Sequence, residues 1–287
     1  MPTEIAYKKT RGRPRSTSLE KPVTVKALDR GMGLLLNLSK VDQATLTELA
    51  LRTGMAPSTA HRLLTTMQQH GIVAFDEATQ NWMVGVEAMR ISSSFIRRTG
   101  VVEAGRPVMR QLMEVTGETA NMAISDDGDV VFISQVETHE AIRAFFRPGA
   151  RGAMHASGIG KALLAELERD EVKRILQKKG LPSFTPKTIT SSQALFADLE
   201  IIRSRGWAID DEERNTGMRC LAAAIYNEFG EAVAGISVSG PAVRITEQEL
   251  AEFGPKVKRS AAEITTAIGG TAPGRGPGRA QAGKAFQ

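Results

Sequence analysis

Between Pro57 and Gly71 the apolar residues Leu63, Leu64 and Met67 recur at helical spacing. The other face carries Ser58, Thr59, Arg62, Thr65, Thr66 and Gln69, with no acid among them. This pattern predicts a helix with one face on a core and the other made of hydrogen-bonding side chains. Pro57 suits its first turn and Gly71 its end. Upstream, Thr45 to Arg52 predicts a shorter helix, with Thr45 and Glu48 spaced as a capping box. Thr53-Gly54-Met55-Ala56 makes a tight connection, so the pair predicts a helix-turn-helix whose second helix enters a DNA groove. Val25 to Leu38 predicts a supporting helix. Ile72 to Phe75 and Trp82 to Val84, separated by the polar stretch Asp76 to Asn81, read as a hairpin wing. Taken alone, the segment after Pro57 reads more readily as an ordinary solvated amphipathic helix. Its neighbours turn the reading toward DNA, with Arg52, Ser58, Thr59, Arg62 and Thr66 as candidate contacts.

Farther along, Val86 to Arg98 predicts a linker helix, with Ala88, Met89, Ile91, Phe95 and Ile96 apolar and Arg90, Arg97 and Arg98 outside, a place where a dimer packs. From Gly100 to Gly269 the pattern predicts a second domain. It starts with a helix over Glu103 to Thr116, then strands over Thr119 to Ser125 and Val130 to Val136 around an Asp126-Asp127-Gly128 turn. A further strand is expected over Ala141 to Phe146, and helices over Gly158 to Glu166, Glu171 to Lys178 and Ser192 to Arg205. Strands over Arg219 to Asn227 and Ala232 to Ser239 precede a last helix, Thr246 to Ile268, which opens on a second capping box. Hairpins on both sides of a helical insertion imply an antiparallel sheet with helices packed on it, an α+β fold. The expected domains are a disordered basic arm over 1–22, a winged helix-turn-helix over 23–85, a linker helix over 86–99, the second domain over 100–269 and a disordered tail over 270–287.

Charge sharpens this picture. Residues 1–99 hold 14 Lys/Arg against 8 Asp/Glu, residues 100–269 hold 20 against 24, and the tail adds 3 more cations. The basic charge is therefore concentrated at the ends, where nucleic acid attracts it through counterion release. Within the arm, Arg11-Gly12-Arg13-Pro14-Arg15 resembles an AT-hook, which lays arginines along a narrow minor groove; a basic arm touching phosphates without preference is the equal alternative. The single cysteine excludes an internal disulfide framework and a multi-cysteine zinc site. No apolar run approaches the roughly 20 residues that span a membrane, and the N-terminus has no signal core, so the expected compartment is the cytoplasm.

Several segments of the second domain carry candidate chemistry. His155-Ala156-Ser157-Gly158-Ile159-Gly160-Lys161 approaches a phosphate loop but fails it, because His155 stands at the first glycine and Ala162 at the magnesium-binding hydroxyl. It still offers a helix start whose N–H groups suit a small anion; a close helix-to-sheet contact is the alternative. Asp210-Asp211-Glu212-Glu213 reads as a solvated loop rather than a metal cluster. Cys220 pairs on paper with His155 as a thiol nucleophile, yet its run reads as a buried strand, where cysteine is inert packing. Ser237 and Ser239 share one face of a strand and form a small polar pocket.

Blocks from both domains carry a family resemblance. These are the run from Ser58 to Gln69, Met154-His-Ala-Ser-Gly-Ile-Gly-Lys-Ala162, Asp210 to Glu213, Arg219-Cys-Leu-Ala-Ala223 and Ile236-Ser-Val-Ser-Gly-Pro241. In this order they resemble the IclR family of bacterial transcription regulators, over nearly everything from Val25 to Gly269. The resemblance implies a winged N-terminal domain, a linker helix, a GAF-like effector domain, and homodimers or homotetramers on palindromic operator DNA. It also implies a glyoxylate or pyruvate site on the backbone N–H groups of Gly158 and Ile159 with Asp210, Cys220, Ser237 and Ser239. Ala141, Ala144 and Met218 fall in its apolar wall, the two alanines being smaller than their counterparts. The expected protein is a regulator of glyoxylate and two-carbon metabolism with no cofactor, catalytic residue, metal or membrane partner. The other reading is an enzyme acting on a small carboxylic acid through Cys220 or Ser157, with a nucleic-acid module attached.

Overall fold

The computed structural model describes residues 25–273, and its contacts divide the chain after Ser92. The basic arm with Arg11, Arg13 and Arg15 lies outside the described residues, as does the tail from residue 274. In the first unit α1 (Lys26–Leu38), α2 (Leu46–Thr53) and α3 (Pro57–Gln69) pack around Leu34, Leu38, Leu49, Ala60 and Leu64. The wing is β2 (Val73–Asp76) and β3 (Asn81–Val84), and Trp82 closes the core beneath it. A strand that the pattern does not reveal, β1 (Ala44–Thr45), pairs with β3. Two residues are too few for an alternation to register. Thr45 also caps α2: its Oγ1 accepts from the Glu48 N–H, and the Glu48 carboxylate accepts from the Thr45 N–H at 2.8 Å. Gly54 ends α2 at φ +65°, a left-handed conformation that turns the chain into α3.

α4 (Val86–Thr99) crosses the boundary between the units. Phe95, Ile96, Arg97 and Arg98 of the expected dimer face lie outside the described side chains.

In the second unit α5 (Val101–Thr116) leads into β4 (Thr119–Asp126), β5 (Asp129–Val136) and β6 (Arg151–Ala153). Three helices follow, α6 (Gly158–Leu164), α7 (Arg169–Lys179) and α8 (Ser192–Arg205). Then come β7 (Ala208–Asp211), β8 (Met218–Tyr226), β9 (Ala232–Pro241) and α9 (Glu247–Ala267). The strands form one antiparallel sheet in the order β6-β5-β4-β9-β8-β7. Strand alternation sends Leu221, Ala223, Ile225, Ile236 and Val238 to a core shared with α5 and α9. Ala222 and Ala224 point the other way, toward α6, α7 and α8.

Four expectations are corrected. Ala141 to Phe146 is not a strand. A strand needs a ladder partner, and the segment that pairs with the outer edge of β5, at Asp129 to Val131, is β6. Of its apolar residues Ala144 and Phe146 turn inward, Phe146 stacking on Phe132 at 4.2 Å. Asp210 to Glu213 is not a solvated loop: β7 takes in its first half, and Asp210 and Glu213 are buried. Ala141 is exposed and lines no cavity wall. Gly270 and Thr271, expected in the disordered tail, are tied to the second unit, their N–H groups donating to the carbonyls of Thr265 and Asn227.

Candidate functional site

α3 buries Ala60 and Leu64 and leaves Ser58, Arg62, Thr66 and Gln69 exposed, with Thr59 half-buried. Thr66 donates its hydroxyl to the Arg62 carbonyl at 2.9 Å, so toward DNA it offers only its lone pairs. Arg62 has no carboxylate partner among the described residues, and its guanidinium stays open for a phosphate or a guanine edge. Arg52, in the last turn of α2, shares a cleft with Thr59.

In the second unit, register brings distant residues side by side. Asp210 lies opposite Cys220, Cys220 opposite Ser239, and Ser239 opposite Thr119. The adjacent row on the same face runs Ala222, Ser237, Asn121, Gln135. Residues paired directly across an antiparallel ladder present their side chains to one face, so five strands deliver one polar floor. α6 comes down on that floor at Gly158, where an added Cβ would sit 2.8 Å from the Cys220 sulfur and 3.3 Å from the Ala222 Cβ. The close helix-to-sheet contact thus coexists with the helix start at the floor, and glycine permits it. A cavity of about 350 Å³ opens here, lined by Gly158, Ile159, Asp210, Cys220, Ser237 and Ser239, with Phe132, Ala144, Phe146 and Met218 as its apolar wall. Its volume falls within the roughly 300–1,000 Å³ of small-molecule sites.

The floor's polar groups are unevenly satisfied. Ser237 is 1 % exposed and its hydroxyl has no hydrogen-bond partner. Ser239 accepts from the Asn121 amide at 3.2 Å. The Asp210 carboxylate accepts from the backbone N–H of Glu213 at 2.7 Å. Burial pushes its pKa up to about 6, against that N–H and the charge of Lys161.

The sequence pattern reaches Lys161 only as part of a failed phosphate loop, yet this residue is 1 % exposed and holds the back of the site together. Its ammonium lies 2.5 Å from Glu213 on the β7–β8 turn and 2.9 Å from Asp198 on α8. A lysine in the otherwise apolar run Gly158 to Leu164 was the available signal. Burial pushes Glu213 up to about 7, with Lys161 opposing. The two middle acids of the run are half-buried instead: Asp211 pairs with Arg219, and Glu212 with Lys187.

Both Asp210 and Glu213 titrate higher folded than unfolded, so between about pH 4.5 and 7 the folded state binds the extra protons. Their contribution to stability is therefore greatest at the acid end of that window and falls as pH rises through it. Thermal melts are expected to show a higher midpoint at pH 5.5 than at pH 8, with the difference reduced in Asp210→Asn. A midpoint that falls on going from pH 8 to 5.5 contradicts this.

The geometry does not assemble a nucleophile. His155 donates its Nε2–H to the Pro182 carbonyl at 3.0 Å and takes no part in the cavity wall. Burial, reinforced by the charge of Asp210, pushes the Cys220 thiol up to about 11, the wrong direction for a thiolate. The Ser157 hydroxyl caps α6 by accepting from the Gly160 N–H. Among the described residues no group of metal-ligating side chains is gathered, and no helix is long and apolar enough to cross a membrane.

Known proteins agree with a DNA-binding unit followed by a ligand-binding one. The IclR helix-turn-helix domain matches residues 27–77, and the bacterial transcriptional regulator IclR C-terminal domain matches residues 93–266. The HTH-type transcriptional regulator BhcR of Paracoccus denitrificans is 49 % identical over 259 residues, 89 % of this chain and 93 % of that one. The transcriptional repressor IclR of Escherichia coli K12 is 43 % identical over 249 residues, covering 86 % and 91 % of the two chains. The crystal structure of Thermotoga maritima IclR aligns with a TM-score of 0.73 at 28 % identity, over 85 % of this chain and 99 % of that one. BhcR is a transcriptional regulator and the Escherichia coli IclR a transcriptional repressor. The chain belongs to the IclR family of DNA-binding transcriptional regulators.

Proposed function

We propose that operator binding by this regulator is controlled by a small oxoacid held on the floor formed by Asp210, Cys220, Ser237 and Ser239 beneath Gly158 and Ile159, and that glyoxylate is that acid. The observation that carries this reading is the buried, unpartnered Ser237 hydroxyl facing a cavity of about 350 Å³. A buried hydroxyl left without a partner costs stability, and a ligand acceptor removes that cost. Oxoacids offer acceptors at both ends, a carboxylate and a carbonyl, matching a floor of hydroxyls. The apolar wall leaves room for a somewhat larger acid, though the floor itself is sized for a small polar head. Glyoxylate points to the genes of two-carbon assimilation as the targets.

The DNA-reading residues in this proposal are Ser58, Thr59, Arg62 and Thr66 on α3, with Arg52 from α2. Arg11, Arg13 and Arg15 of the arm add affinity in the minor groove or on phosphates. A homodimer or homotetramer in the cytoplasm places two such helices on a palindromic operator.

Calorimetry with glyoxylate, paired with a gel shift on the upstream DNA, tests the effector. The double variant Ser237→Ala/Ser239→Ala is expected to lose about 1–3 kcal/mol of glyoxylate affinity, at roughly 0.5–1.5 kcal/mol per hydrogen bond. Its effector-free DNA binding stays near wild type. Undiminished glyoxylate affinity in that variant removes the site from the role assigned to it.

A further inference from the structure

Beside the proposed site, in the second row of the same floor, two amides form a directed chain. The Gln135 Nε2 donates to the Asn121 Oδ1 at 2.8 Å, and the Asn121 Nδ2 donates to the Ser239 Oγ at 3.2 Å. Asn121 is 0 % exposed in the middle of β4, and Ser239 is 4 % exposed beside it on β9. The direction is set by the Gln135 amide, whose Nε2 faces the Asn121 oxygen. Gln135 occupies the Asn121 carbonyl oxygen, which turns the NH₂ end toward Ser239. With a lone pair already committed to that NH₂, the Ser239 hydroxyl keeps its own hydrogen for the cavity side, where the Cys220 sulfur also lies.

We propose that Asn121 and Gln135 are positioning residues for effector recognition, fixing Ser239 as a hydrogen-bond donor into the cavity so that the floor receives an acceptor such as a carboxylate or carbonyl oxygen. The inference rests on the oxoacid site proposed above and adds what sets its polarity. A free serine hydroxyl rotates and serves donors and acceptors alike. This one is held in one sense before the ligand arrives, so less ordering remains to be done on binding. Asn121 touches no ligand in this scheme and acts through Ser239.

Substitution at Asn121 separates a positioning role from a merely structural one. Asn121→Asp keeps size and shape but replaces the donor with an acceptor. The Ser239 hydrogen then turns back to the introduced carboxylate, and the cavity loses its donor. Gln135→Leu, on a partly exposed strand position, releases the Asn121 amide without touching the buried strand centre. Glyoxylate affinity by calorimetry in the full-length protein is expected to fall about tenfold in Asn121→Asp and about threefold in Gln135→Leu. Repeated in a Ser239→Ala background, both changes are expected to have almost no further effect, the coupling that a double-mutant cycle reads. A structural defect weakens binding equally in both backgrounds.

Thermal melts report whether each variant is folded, and Gln135→Leu carries the test if Asn121→Asp is not. An undiminished effect of Gln135→Leu or Asn121→Asp on Ser239→Ala overturns the positioning role while leaving the site intact. Wild-type glyoxylate affinity in Ser239→Ala itself overturns both.

Discussion

Replacing Lys161 by Met is expected to lower unfolding stability by about 3–5 kcal/mol, the cost of breaking a buried charge arrangement by removing one partner. Lys161 lies between Glu213 at 2.5 Å and Asp198 at 2.9 Å, and it is the buried cation that faces both. Methionine fills much of the same volume, so the loss is electrostatic rather than a cavity effect. Its pH dependence gives the mechanism away. Burial already holds Glu213 at about 7 with the lysine in place, and without it the carboxyl protonates still more readily. At pH 6 Glu213 is neutral in the variant and much of the penalty disappears, whereas toward pH 8 more of it is ionised with no cation beside it and the deficit grows. Urea unfolding at both pH values is the measurement, with the larger deficit expected at pH 8. A deficit below about 1 kcal/mol at both shows that the triad contributes nothing to holding α6 against α8 and the β7–β8 turn. Lys161→Met combined with Asp198→Asn and Glu213→Gln is expected to regain most of the loss, since no buried charge remains.

Arg62→Ala is expected to weaken specific operator binding by about 1–3 kcal/mol, roughly fivefold to 150-fold, while binding to unrelated DNA falls much less. Arg62 stands exposed near the middle of α3, one turn after Ser58 and one before Thr66, and has no carboxylate partner among the described residues. Its side chain therefore reaches DNA without first breaking an ion pair. Residues inward of it, Ala60 and Leu64, belong to the core, so the substitution leaves the fold of the winged unit alone. Gel shifts and footprints on the upstream region, beside a scrambled duplex at matched salt, separate base reading from phosphate contact. An equal loss on both duplexes assigns Arg62 to the phosphates, and no loss on either takes α3 out of the groove.

The elements were legible because they are written locally. The capping boxes at Thr45 and Thr246, the 3.6-residue period of α3 and the Asp127-Gly128 turn each need only a few neighbouring residues to declare themselves. The segment over Ala141 to Phe146 shows the limit of that rule. Its apolar residues read locally as a strand, but pairing is a property of the sheet, and the strand that pairs beside β5 is β6. The run of four acids fails in the opposite way: composition reads as solvent, whereas strand alternation and the turn after β7 send Asp210 and Glu213 inward and leave their neighbours outside.

The amino-acid sequence by itself determined the order of helices and strands, the helix-turn-helix with its acid-free outer face, and, through motif blocks, the family. Only the tertiary structure decided what stands beside what. Asp210, Cys220 and Ser239 form one row because of the register of three strands, and a slip of one residue would turn each side chain to the opposite face. The same register placed Asn121 and Gln135 behind Ser239, and the packing of α6 onto β8 buried Lys161 between two acids far away in the chain. Periodicity carries information over a few residues. Hydrogen-bond register and buried charge pairing are satisfied only between segments that folding brings together, as it does Asn121 and Ser239 across 118 positions of chain.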